Sequence, residues 1–151
     1  MEESLAHSLI AVSKKYLSAF SHKIADLSLD RYQYVLVLID AHTENLTQKA
    51  LAELLQVDKS YMVIILDYLT EKGYVTREKN PNDRREQLIR LTEKARNDLP
   101  VIKKAISELN NKSLQNLTEE QIRVFNEVLS AINGNLSDSV PTEIRFDFKK
   151  L

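Results

Sequence analysis

Apolar residues recur every three or four positions through most of the chain, which is the spacing that aligns them on one face of an α-helix. The first stripe runs from Leu5 to Ile24 and predicts a long helix that ends near Asp26. A second stripe predicts a helix that begins near Ser28 and ends before His42. The pattern therefore indicates a chain that is helical from its beginning.

Two shorter helices follow, and capping residues mark their ends. Thr47 begins a helix that ends near residue 55, and Asp58 begins another that runs through Lys72. Gly73 can adopt the left-handed conformation that ends such a helix. Because only about three residues separate the two helices, the sequence predicts a helix-turn-helix.

A β-hairpin is predicted directly after the helix-turn-helix. Residues 74–79 and 86–91 are β-prone, and the loop between them is rich in Asn, Pro and Asp. A hairpin in this position is called a wing. The predicted fold class is therefore mostly α with a small β-hairpin wing, an α+β winged helix-turn-helix.

Helical patterning resumes after the wing. A stripe from Leu91 to Leu109 predicts a long helix with a kink at Pro100. Residues 118–121 form a capping box that begins a last helix. Residues 137–151 are expected to form an extended arm. The long helices at both ends of the chain therefore flank the winged helix-turn-helix.

Composition limits the functions that are open to the chain. Of its 151 residues 43% are apolar, none is Cys, two are Gly, and the three His are scattered. These counts leave no cysteine nucleophile, no thiolate or paired-histidine metal site and no glycine-rich phosphate loop. No apolar run is long enough to span a membrane. We therefore expect a cytoplasmic protein that is not an enzyme and has no metal or other cofactor.

The net charge of −1 conceals a local basic excess. Residues 74–96 hold seven Lys or Arg and four Asp or Glu, so the rest of the chain is acidic. This distribution is compatible with an anionic partner at the wing. A surplus of this size also occurs on ordinary solvated surfaces.

Several motifs resemble those of the multiple antibiotic resistance regulator (MarR) family of dimeric winged-helix transcription factors. They lie in the family's order at residues 51–57, 69–77, 83–85 and 91–94, with a wing signature of Asp83, Arg85, Leu91 and Thr92. The resemblance implies a single domain over 1–151. Within it, about 29–92 would form the winged helix-turn-helix, and about 1–27 and 93–151 the dimerisation helices and C-terminal arm.

The resemblance also implies a function and a set of contacts. The chain would be a homodimeric repressor that binds a pseudo-palindromic double-stranded DNA operator and is released by a small effector, which in relatives is often aromatic. Lys59 and Arg77 would meet phosphates, and Arg84 and Arg85 would reach the minor groove. With Asp83 supporting the wing, the expected DNA contacts are Lys59, Ser60, Tyr61, Val63, Ile64, Tyr68, Arg77, Arg84 and Arg85.

The outer face of the second short helix departs from the family pattern. Ile64 and Tyr68 stand where arginines are common, and Asp67 adds a negative charge beside the DNA groove. Val63 and Ile64 could contact thymine methyl groups, or they could pack inside a helix that is apolar on more than one side. An alternative hypothesis is therefore a winged-helix protein-interaction module with weakened DNA binding.

Overall fold

The computed structural model describes residues 3–42, 44–139 and 141. In chain order the described elements are α1 (Glu3–Lys23), α2 (Gln33–Ala41), α3 (Gln48–Leu55), α4 (Lys59–Glu71), β1 (Val75–Lys79), β2 (Gln87–Leu91), α5 (Glu93–Ser113) and α6 (Glu119–Asn135). The two strands pair antiparallel as a hairpin. The predicted winged helix-turn-helix is confirmed. Most of the predicted C-terminal arm, residues 140 and 142–151, lies outside the described residues.

The predicted caps set the boundaries of the helix-turn-helix. The side chain of Thr47 accepts a hydrogen bond from the N–H of Ala50 at 3.1 Å. Asp58 accepts one from the N–H of Tyr61 at 2.7 Å. Gly73 has a φ of 80°, the left-handed conformation that follows the end of α4. These local signals therefore fix where α3 and α4 begin and where α4 stops.

The core lies where α2, α3, α4, the hairpin and α5 meet. The predicted inner stripe of α4 is buried and consists of Met62, Ile65, Leu66 and Leu69. The hairpin is tied to α3 by a hydrogen bond from the N–H of Ile89 to the carbonyl of Leu46 at 2.9 Å. This packing holds α4 on its apolar side and leaves its opposite face to solvent.

Several predicted boundaries need correction, and those of α4, which ends at Glu71, and β2, which begins at Gln87, differ by one residue. Helix α2 begins at Gln33 rather than near Ser28, because Tyr32 adopts a left-handed conformation with a φ of 64° that cannot continue a helix. Helix α1 ends at Lys23, and β1 begins one residue after Tyr74. Helix α5 runs as one helix from Glu93 to Ser113 with Pro100 inside it.

Two helices present apolar side chains to solvent. None of the described residues of α6 is buried, and its exposed apolar residues include Val124, Phe125, Val128 and Leu129. The exposed apolar residues of α1 are Leu5, Leu9, Val12 and Leu17. Near its C-terminal end, α1 is held to α5 by Tyr16, whose hydroxyl donates to Asn110 Oδ1 at 2.7 Å. Both ends of the fold therefore carry uncovered apolar surface.

The described residues contain no group of three or more His, Cys, Asp or Glu side chains that could hold a metal ion. No helix within the described ranges is both long and apolar enough to cross a membrane.

Candidate nucleic-acid interface

The exposed face of α4 carries most of the predicted DNA contacts. Lys59, Ser60 and Ile64 are exposed, and Tyr61 and Val63 are half-buried. Ile64 is 41% exposed, so the interpretation that it packs in the core is wrong. Its contact with a thymine methyl group stays a prediction.

The negative charge of Asp67 is compensated by an arginine. Arg77 on β1 donates from Nη2 to Asp67 Oδ1 at 2.6 Å. This ion pair joins the side of α4 to the wing and compensates the carboxylate that the sequence analysis treated as repulsive. Because the Arg77 guanidinium is shared with Asp67, its predicted phosphate contact stays a prediction.

Tyr68 holds the other side of α4 against the residues that precede α2. Its hydroxyl donates to Asp30, and its ring meets the ring of Tyr32 edge to face at 5.4 Å between centroids. The guanidinium of Arg31 lies 4.5 Å from the centroid of the Tyr68 ring. The hydrogen bond from Tyr68 lowers the pKa of Asp30, while burial, and then the bond to Asp30, raise the pKa of Tyr68. Tyr68, predicted to contact DNA, is thus engaged within the protein.

Asp30 and Arg31 were missed as neighbours of the site. The contact between Tyr68 and Asp30 spans 38 positions of sequence, beyond the reach of any helical or turn pattern. The sequence offered one signal for this contact: the charged pair Asp30 and Arg31 directly precedes the aromatic residue Tyr32. Helix α4 is therefore braced on one side by the wing and on the other by the segment that precedes α2.

The wing presents a guanidinium in a fixed orientation. Arg85 donates from its backbone N–H and from Nε to Asp83 Oδ1, at 3.0 and 3.1 Å, and from Nη2 to Asp83 Oδ2 at 3.1 Å. The Arg85 side chain is nevertheless 90% exposed. This pairing lowers the pKa of Asp83 and raises that of Arg85. Arg84 is also exposed. The wing tip therefore offers two cations to solvent, one of them oriented by a carboxylate.

A cleft of about 550 Å³ joins the helix-turn-helix to the base of the wing. Its walls include the basic residues Lys49, Lys59 and Arg85 together with the acidic residues Glu53 and Glu86. The beginning of α4 and the wing therefore face a common space, which brings together residues that the sequence placed in separate motifs. This arrangement defines the chain as a winged-helix protein.

Part of the chain is similar to known proteins of one family. A MarR family model matches residues 26–86. The Bacillus subtilis (strain 168) protein YdcH, described as an uncharacterized HTH-type transcriptional regulator, is 36% identical over 89 residues. That match covers 54% of this chain and 60% of YdcH, so the chain spans less than two thirds of that relative.

Solved structures agree with the family model. The transcriptional regulator SlyA matches with a TM-score of 0.78 and 25% identity, over 89% of this chain and 94% of SlyA. A mutant MarR from E. coli, solved in complex with operator DNA, matches with a TM-score of 0.75 and 25% identity. The match covers 85% of this chain and 93% of the mutant MarR chain. Residues 26–86 of the chain therefore match the MarR family, and the similar proteins are described as transcriptional regulators.

Proposed function

We propose that the chain is a homodimeric repressor that binds a pseudo-palindromic DNA operator and is released by a small effector. The observation that carries this proposal is the common space between the beginning of α4 and the wing, with Lys59 and Arg85 beside it. In this docking mode α4 enters the major groove and the wing reaches the adjacent minor groove. The operator complex of the E. coli MarR mutant supports the assignment.

The exposed residues then take distinct roles. Lys59, at the beginning of α4, contacts phosphate, and Ser60 lies next to it on the same exposed surface. Ile64 contacts a thymine methyl group, which an apolar side chain can read in the major groove. Arg85, oriented by Asp83, enters the minor groove, where the negative potential favours a guanidinium.

The homodimer is supported by the apolar surface of α1 and α6. All described residues of α6 are at least partly exposed, and Phe125 and Val128 are about half exposed. Packing against its own chain therefore stabilises this helix little. Large exposed apolar patches mark interaction sites. A second copy of the chain presents the same two helices and can cover them symmetrically. The winged helix-turn-helix at about 29–92 would then project from a dimer body formed by the terminal helices.

We expect Arg85→Ala and Lys59→Ala to weaken DNA binding in different ways. Arg85→Ala should cost about 1 to 3 kcal/mol per half-site on the preferred operator, because it removes a groove contact. Lys59→Ala should weaken all duplexes about equally and lower the salt slope by about one unit per half-site, because it removes a phosphate contact.

The measurement is fluorescence anisotropy over a salt series. One duplex is selected by the wild-type protein from a randomised pool, and poly(dI-dC) serves as the non-specific duplex. Lys104→Ala is the matched control, because Lys104 is 77% exposed on α5, outside the site. Identical behaviour of the two site variants would contradict their separate roles. A wild-type protein that selects no duplex would favour the protein-interaction hypothesis.

A further inference from the structure

A buried tyrosine connects the helix-turn-helix to α5. The side chain of Tyr74, between α4 and β1, has no exposed surface. Its hydroxyl donates to Asp98 Oδ2 on α5 at 2.7 Å and lies 3.1 Å from Ser28 Oγ, which precedes α2. Burial is the main cause that raises the pKa of Tyr74. One side chain thus joins three segments that are distant in sequence.

Further contacts hold the ring of Tyr74 and the backbone that precedes it. The Nζ of Lys94 lies 4.6 Å from the centroid of the Tyr74 ring and donates to the carbonyl of Lys72 at 2.9 Å. The hydroxyl of Thr92 donates to the carbonyl of Gly73 at 2.7 Å. The end of α4 and the beginning of α5 are therefore held together directly. We call Ser28, Tyr74, Lys94 and Asp98 the Tyr74 joint.

The position of this joint gives it a consequence for DNA binding, on the basis of the proposed function. Helix α5 runs from the joint to Ser113 and leads to α6, where the second copy docks in the proposed dimer. The orientation of α4 relative to α5 therefore sets the distance between the two copies of α4. A dimer reads two half-sites only when their spacing matches that distance.

We propose that Tyr74 is a positioning residue that restricts the half-site spacing accepted by the dimer. Its ring fills the core, while its hydroxyl, held by Asp98 and Ser28, fixes α4 relative to α5. Removal of the hydroxyl leaves the ring in place and removes one of the bonds that set this orientation, while the bonds of Thr92 and Lys94 remain. A hydrogen bond of this kind is worth up to about tenfold in an equilibrium constant.

The test compares operators that differ only in spacing. The selected operator and versions with one base pair inserted or deleted between the half-sites are titrated with the wild type and with Tyr74→Phe. We expect Tyr74→Phe to reduce the preference for the original spacing by about three- to tenfold. Tyr16→Phe is the control. It also removes a tyrosine hydroxyl that is bonded to α5, in this case to Asn110, but this bond lies away from the end of α4.

A second variant covers the case in which Tyr74→Phe does not fold. Asp98→Ala removes the acceptor from α5 and keeps the tyrosine, and it should broaden the spacing profile in the same way. Thermal melting establishes that each variant is folded before titration. A folded variant of either kind that keeps the wild-type spacing profile, even with weaker binding throughout, overturns the inference. A wild type that binds no duplex refutes the proposed function itself, which is a separate result.

Discussion

Replacement of Phe125 and Val128 by Asp is expected to convert the dimer into a monomer and to weaken operator binding strongly. The two side chains lie one turn apart on α6 and are 51% and 50% exposed in the single chain. The substitutions therefore spare the fold of the chain but place carboxylates in an apolar interface, where unpaired charge is strongly unfavourable. A monomer contacts only one half-site at a time, so its operator affinity should be lower by about a hundredfold or more.

Sedimentation at micromolar concentration measures the first effect, and anisotropy with the selected operator the second. The wild type should sediment at about twice 17.4 kDa and the double variant at 17.4 kDa. Ser130→Asp is the control, because it adds a carboxylate to α6 away from the exposed apolar stripe. A monomeric wild type, or a double variant that remains dimeric, would refute this interface.

Two adjacent isoleucines of α4 should respond in opposite ways to arginine. Ile65 is 3% exposed, so Ile65→Arg buries an unpaired charge and should destabilise the fold by about 3 to 5 kcal/mol. Ile64 is 41% exposed, so Ile64→Arg should leave stability almost unchanged. It should instead raise non-specific DNA affinity and steepen the salt slope by up to about one unit per half-site, because it adds a cation near phosphates.

Thermal melting and anisotropy with poly(dI-dC) separate the two effects. The melting temperature should fall by about 10 °C or more for Ile65→Arg and hardly at all for Ile64→Arg. Each variant serves as the control for the other, because the substitution is the same and only the helix face differs. A large fall in melting temperature for Ile64→Arg, without any gain in DNA affinity, would show that this face does not meet DNA.

The parts of the fold that sequence predicted are those encoded locally. Thr47 and Asp58 cap helices through bonds to residues three positions away, and the buried stripe of α4 follows from helical periodicity. The pairing of Asp83 with Arg85 spans two positions and lies within one recognisable motif. Such signals act within a turn of helix or loop, so a single sequence is enough to detect them.

The orientation of the candidate site depends on contacts between distant segments. Tyr68 meets Asp30 across 38 positions, and Asp67 meets Arg77 across ten. Neither pair shares a helix or a turn, so no periodicity indicates it. The left-handed conformation of Tyr32 could not be predicted from the sequence either, because a bulky aromatic residue rarely adopts it. Sequence therefore predicted α4 and its buried stripe but not the contacts that brace it.

Most arginines around the site have an acidic partner on the protein. The pairs are Arg31 with Asp30, Arg77 with Asp67, Arg85 with Asp83 and Arg90 with Glu78. On the proposed function, a phosphate would share each of these guanidinium groups with a carboxylate, which would weaken the sequence-independent attraction of DNA to this surface. A chromosome offers about 10⁶ or more competing sites. Weaker sequence-independent binding would leave a larger fraction of the protein free to reach an operator.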